Sequence, residues 1–391
     1  MTALTTAAWW MVAAGGGGST AAPAPAFHRD GPVFRTDDGA IFPWAFGSEF
    51  PLLRWTLDGR DIRPLLAERY AVGQRGCSFF LTSEIEDARL GDGGPYADQA
   101  ILDALGPFVD MLRAHGMNSE ACVFQAVSVT MPQRDRQQKF WNAVLDIAKG
   151  RPWMSVSVSK EWWKQLGALD FDHLRRPGGH TWDGGGIPDG GSQGLNVAPG
   201  IWVAPLRGSH DTFQASRTDE WPRKTKSAWE IAMATGLGCV TGEPMGADET
   251  NQPGRRSNVP DDFFWSAATA RLMSLGSYFH PQAGIRGTLY GPVQRTCALA
   301  HFEALSLIPC AAQLGAYAKS IGAAVVSYDD QPGGSLRTYG MQTHVWEQWC
   351  VVIRPGPSYP RNGALIDPAV APGWMIRDRL GPMGTVLRVT R

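Results

Sequence analysis

The sequence predicts an α/β fold: a (β/α)8 TIM-type barrel, preceded by an extended N-terminal arm and followed by a small C-terminal antiparallel β domain. Three observations predict it. From about residue 33 to 316, strand-like and helix-like segments alternate. Two short apolar strands, Trp153–Ser159 and Gly236–Thr241, each stop abruptly before a glutamate, as barrel strands do when they deliver an acid to the C-terminal rim. Beyond about residue 322 the pattern changes to short strands separated by Pro- and Gly-rich turns, with no helix-length segment between them. The units are therefore residues 1–30 (arm and linker), 31–318 (barrel) and 319–391 (β module).

Each barrel element has its own signal. Phe42–Phe46 reads as the first strand, Asp61–Tyr70 as a helix and Gly76–Thr82 as the second strand. From Tyr96 to His115, Ile101, Leu102, Leu105, Phe108, Val109 and Leu112 recur at helical spacing. Ala121–Val129 follows as the third strand, Gln137–Lys149 as a helix and Trp153–Ser159 as the fourth strand. Four β/α units in about 130 residues is the pace of an eight-fold barrel. Pro177–Gly194 is a Gly-rich loop, and loops of that length are commonly functional. Ile201–Leu206 reads as a strand leading to Arg207-Gly-Ser-His210-Asp211, and Asp219–Ala234 as a helix. Gly236–Thr241 is a strand, Pro260–Leu275 a helix with Asp261 and Asp262 in its first turn, and Gly276–His280 the last strand.

Composition narrows the function. The 391-residue chain has a net charge of −1 with 19% charged residues, which gives no electrostatic case for nucleic acid or an anionic membrane as partner. Sixteen tryptophans suit a carbohydrate cleft, because sugar rings present C–H faces that stack on indole. The six cysteines lie far apart without a Cys-x-x-Cys, so neither a disulfide framework nor a zinc site is expected. His173, His180 and Asp183 are spaced too irregularly for a metal site, and no cofactor is implied. Ala7–Ala14 has the apolarity of a secretory h-region, yet no basic residue precedes it. The Trp-bearing arm, followed by Gly15–Gly18, reads instead as a peptide that docks on a neighbouring subunit.

The acids carry the chemistry. Glu161 follows the fourth strand after Lys160, and Glu243 sits in Gly242-Glu243-Pro244 at the end of Gly236–Thr241. Glycosidic hydrolysis needs a protonated acid on the leaving oxygen and a second carboxylate below the anomeric carbon. Residues 82 positions apart meet in a parallel barrel because all strands share one polarity. Glu84 and Glu86, after the second strand, are reserve carboxylates, with solvated loop charges as their default role. Arg255 and Arg256 are placed either to clamp an acidic sugar or to pair with Asp248 and Glu249, and the pairing is the expected role.

This order of elements resembles the clan of retaining (β/α)8 glycoside hydrolases, and most closely cellulase-like barrel proteins encoded by bacteriophages. Gly242–Gly246, Arg255–Asn258, the helix from Asp261, and Gly276–His280 with Gly284 carry the resemblance over residues 33–316. It implies Glu161 as acid/base, Glu243 as nucleophile, His210 and His280 as cleft residues, and a polysaccharide as substrate. Trp162, Trp182 and Trp202 are candidate sugar platforms. It further implies a virion or extracellular location. The chain departs from the clan at Lys160, where an Asn normally precedes the acid/base. A cation there holds a carboxyl ionised unless it points to the opposite side of the strand. The alternative is a catalytically weak structural or adhesive virion component that uses the barrel as scaffold or glycan-binding surface.

Overall fold

A computed structural model describes residues 21–30, 33–159, 167–168, 210–213, 238–241 and 276–307, and the short strands 325–327, 342–344, 375–376 and 389–390. It also describes five helical positions, Pro260, Phe263, Ala267, Ala270 and Arg271. The chain enters through an antiparallel hairpin, β1 (Phe27–Asp30) and β2 (Val33–Thr36).

Seven parallel strands follow: β3 (Ala45–Ser48), β4 (Gly76–Phe80), β5 (Asn118–Phe124), β6 (Met154–Ser159), β7 (His210–Phe213), β8 (Gly238–Thr241) and β9 (Gly276–Phe279). Their spatial order is β6-β5-β4-β3-β9-β8-β7. The first parallel strand pairs with the last, and every other spatial neighbour is also a neighbour in sequence. This cyclic, singly wound order is that of a (β/α) barrel, whereas an open doubly wound sheet reverses direction at a switch point. The two end strands of the order, β6 and β7, are consecutive among the described strands. Ile201–Leu206, expected as the strand leading to His210, lies outside the described residues.

Alternation assigns the faces. Cys77, Phe79, Leu81, Ala121, Val123, Met154, Val156 and Val158 are buried on one face. The helices that cover them are α1 (Leu52–Leu57), α2 (Arg63–Ala71), α3 (Asp98–Ala114), and, beyond the short turn α4 (Val127–Thr130), α5 (Arg134–Ala148). Helix α3 contributes Ile101, Leu105, Phe108, Val109 and Leu112, the i/i+4/i+7 stripe legible in the sequence. Each such fully buried side chain contributes about 1.5–3 kcal/mol. On the far side of β3, α6 (Gln282–Arg286) and α7 (Pro292–Leu307) follow β9. Phe263 and Phe302 pack there on Phe279, with ring centroids at 5.2 and 5.9 Å.

An aromatic floor closes the N-terminal edge of the strands. Phe27, Phe34, Phe42, Trp44, Phe46 and Tyr278 form one buried cluster, with Phe27 stacked on Phe42 at 4.5 Å and Trp44 on Phe46 at 4.8 Å. The last residues of the expected arm belong to this floor. Ala24 N donates to Arg113 O (3.0 Å), Phe27 N to Pro152 O (2.9 Å), and Asn118 Nδ2 to Pro25 O (2.8 Å). Residues 24–30 thus pack on their own chain, and the arm's first 20 residues lie outside the described residues.

One further boundary shifts. The third strand runs Asn118–Phe124, three residues earlier than Ala121–Val129. It ends because Ala126 takes a left-handed conformation (φ 50°) and the chain turns into α4. In the C-terminal region, β10 (Val325–Ser327) pairs antiparallel with β11 (Gln342–His344), and β12 (Met375–Ile376) with β13 (Val389–Thr390).

Candidate functional site

The inner face of the sheet, opposite the helices, is polar. The register pairs Ser48 with Ser78, Ser78 with Glu120, and Glu120 with Ser155, so four strands place these side chains in one row. Pairing of Phe46 with Tyr278 brings His280, just past β9, alongside Ser48. Its Nδ1 lies 2.7 Å from Ser48 Oγ. All five residues are buried, and Ser157, paired with Cys122 one step toward the C-terminal ends, is buried as well. Barrel interiors are ordinarily filled by Val, Ile and Leu. Here hydroxyls, an imidazole and a carboxylate occupy those positions.

Apolar rings cover this row toward the strand ends. Phe50 packs on Phe80 with centroids 4.2 Å apart and on the His280 ring at 5.6 Å. Helix α6 sits directly against the end of β3. A Cβ on Gly284 would lie 1.9 Å from Ser48 O, so only glycine permits that approach. The Ser48 contact fixes which imidazole nitrogen faces β3, and with it the ring orientation.

Glu49, the residue just after β3, points to the helix side and is fully buried with Arg69 of α2. Arg69 Nε donates to Glu49 Oε1 (2.6 Å), and Nη2 donates to Thr288 O (2.7 Å). The guanidinium also bonds Glu68 and lies 3.6 Å from the Tyr290 ring centroid. Burial opposes the Arg69 charge, but the Glu49 and Glu68 carboxylates hold its pKa above the ordinary arginine value. Tyr290 OH donates to Gln74 Oε1 (3.1 Å), and burial pushes that phenol well up. The network ties α2, near the start of the barrel, to the β9–α7 connection at its end.

The two histidines named from sequence do not meet. His210 pairs with Gly238 at the start of β7, while Phe213, Thr241, Ser277 and Ala45 share one register line. His210 therefore lies three steps behind that line and His280 three steps ahead. The offset along the strands is six residues, or about 20 Å at about 3.3 Å per residue. His210 lies within β7, whereas the sequence reading placed it after a strand ending at Leu206. Glu161 and Glu243, with Trp162, Trp182 and Trp202, lie outside the described residues. Trp44 and Trp141, by contrast, are core residues.

Glu120 is the carboxylate that sequence reasoning passed over. The signal was present: in Asn118-Ser-Glu-Ala-Cys-Val-Phe124 the apolar residues Ala121 and Val123 alternate with Glu120 and Cys122. Starting the strand at Ala121 left Glu120 in a loop.

Comparison with known proteins adds the following. No protein-family model matches the chain, and no curated protein matches it. Among solved structures, the mannotriose complex of a β-mannanase from Thermomonospora fusca aligns at 12% identity and TM-score 0.47, covering 74% of this chain and 99% of that one. A glycoside hydrolase family 5 protein from Bacteroides vulgatus aligns at 12% identity and TM-score 0.47, covering 78% and 73%. A β-mannanase from Streptomyces thermolilacinus with mannohexaose aligns at 14% and 0.42, covering 66% and 83%. Overlaps below a TM-score of 0.5 at such identities assign neither activity nor substrate to this chain.

Proposed function

We propose that the chain is a glycoside hydrolase-like barrel that holds a polysaccharide across its C-terminal rim and cleaves it with retention. One observation carries this reading. Strands β6 and β8 run parallel in the same sheet and end at Ser159 and Thr241, two residues before Glu161 and Glu243 respectively. Parallel polarity sends both chain segments out at one edge, the edge on which barrel enzymes carry their chemistry.

Glu243 attacks the anomeric carbon while Glu161 protonates the departing glycosidic oxygen. Water then enters with Glu161 as base and releases the sugar from Glu243. For Glu161 to act as the acid, Lys160 must face away from it, as successive residues of an extended segment do. Trp162, Trp182 and Trp202 supply stacking surfaces for the sugar rings. His280, held by Ser48, borders the mouth from the β9 side.

The test is release of reducing ends from a panel of neutral polysaccharides by the whole chain and by Glu161→Gln and Glu243→Gln. Each substitution is expected to lower turnover by about 10³-fold or more with unchanged circular dichroism, since each removes a group acting in the transition state. Wild-type turnover in either variant refutes the assignment.

A further inference from the structure

Past β4 the chain takes residues 81–97 to reach α3, a long connection on the C-terminal side of the sheet. It is firmly held. Ser83 and Leu90 pair as an antiparallel bridge. Glu84 N donates to Gln125 Oε1 (3.1 Å), and Asp92 N donates to Thr130 O (2.7 Å). Arg136 of α5 grips Asp98 through Nε (2.6 Å) and Nη2 (2.7 Å). Gly91, at φ 88°, lies so near α4 that a Cβ would approach Thr130 O to 2.5 Å. On the other side, Arg54 of α1 donates to Asp58 Oδ1 (2.9 Å) and to Arg89 O (2.9 Å).

A cleft of about 620 Å³ opens between this loop and α1, within the size range of small-ligand sites. Arg54, Glu84, Glu86 and Arg89 line it, together with the turn Gly93-Gly94-Pro95. Two guanidinium groups and two carboxylates leave its lining without net charge. An anionic sugar meets as many carboxylates as cations there. A neutral polyol can use all four groups, because guanidinium N–H donates to ring and hydroxyl oxygens while carboxylates accept from O–H. The loop's anchoring means little ordering entropy is lost on binding.

We propose that this cleft is a binding subsite for an uncharged glycan chain. The idea rests on the barrel-hydrolase reading for its biological setting, but it can be tested apart from it. The whole chain carrying Glu243→Gln is titrated calorimetrically with mannohexaose, cellohexaose and hexagalacturonate. At least one neutral hexasaccharide is expected to bind more tightly than hexagalacturonate. Adding Glu86→Ala or Arg89→Ala is expected to weaken that binding by about tenfold or more with no shift in Tm. An unchanged Kd in both variants, preference for the uronate, or no binding of either neutral hexasaccharide overturns the proposal. Full turnover in Glu243→Gln sinks the hydrolase reading alone and leaves the cleft result to stand or fall by its own titration.

Discussion

Removing Arg69 tests the idea that a buried ionic staple joins the two ends of the barrel. Its side chain and that of Glu49 are both fully buried. In Arg69→Met the apolar stem is nearly preserved, but Glu49 keeps only Gln74 Nε2, at 3.4 Å, among its polar contacts in this network. Leaving a buried charge without its partner costs about 3–5 kcal/mol. Glu49→Gln is milder, because Arg69 retains Glu68 and Thr288 O. Loss of one bond in that setting costs about 1–3 kcal/mol. The double variant Glu49→Gln/Arg69→Met removes both charges of the pair and should be less destabilised than the sum of its parts by at least about 1 kcal/mol. Urea unfolding at neutral pH, followed by near- and far-ultraviolet circular dichroism, measures all three. Against a total of about 5–15 kcal/mol for a typical domain, the Arg69→Met loss is large and easily resolved. A loss below about 1 kcal/mol in Arg69→Met, or strict additivity in the double variant, refutes the staple.

Two more outcomes follow from the same region. Gly284→Ala drives a methyl into Ser48 O, so α6 must move off β3; the expected cost is about 1–3 kcal/mol in urea, with a changed His280 imidazole nitrogen resonance as Ser48 shifts. An unaltered His280 signal contradicts that coupling. Burial within α7 depresses the His301 pKa from 6.5 to about 3. Between those values the unfolded chain binds a proton that the folded chain refuses, so stability present at neutral pH is lost as pH falls. At about 1.4 kcal/mol per pH unit the loss approaches about 3 kcal/mol at pH 4. His301→Leu should therefore flatten the change in urea midpoint between pH 7 and pH 4, and equal slopes in variant and parent argue against it.

Much of the scaffold was legible because local periodicity reports which face a residue occupies. In Met154-Ser-Val-Ser-Val-Ser159 the apolar residues alternate with serines, and the structure sends the former to the helices and the latter inward. The apolar stripe of α3 is equally plain, with Asp98 at its first turn and His115 just beyond its end. The ends of β6 and β8, which point to Glu161 and Glu243, matched the segments read from sequence.

The sequence by itself determined the order of strands and helices and which residues of each strand share a face. Which residues stand beside one another was decided by how the strands pair. Pairing β3 with β9 is what sets His280 against Ser48, 232 positions away, and Arg69 against Thr288, 219 positions away. Register, too, is a property of pairs of strands, so it alone shows that Glu120 lies in the serine row and that His210 falls six steps behind His280. A period of two residues repeats within one strand; the offset between strands is fixed only when their side chains pack together.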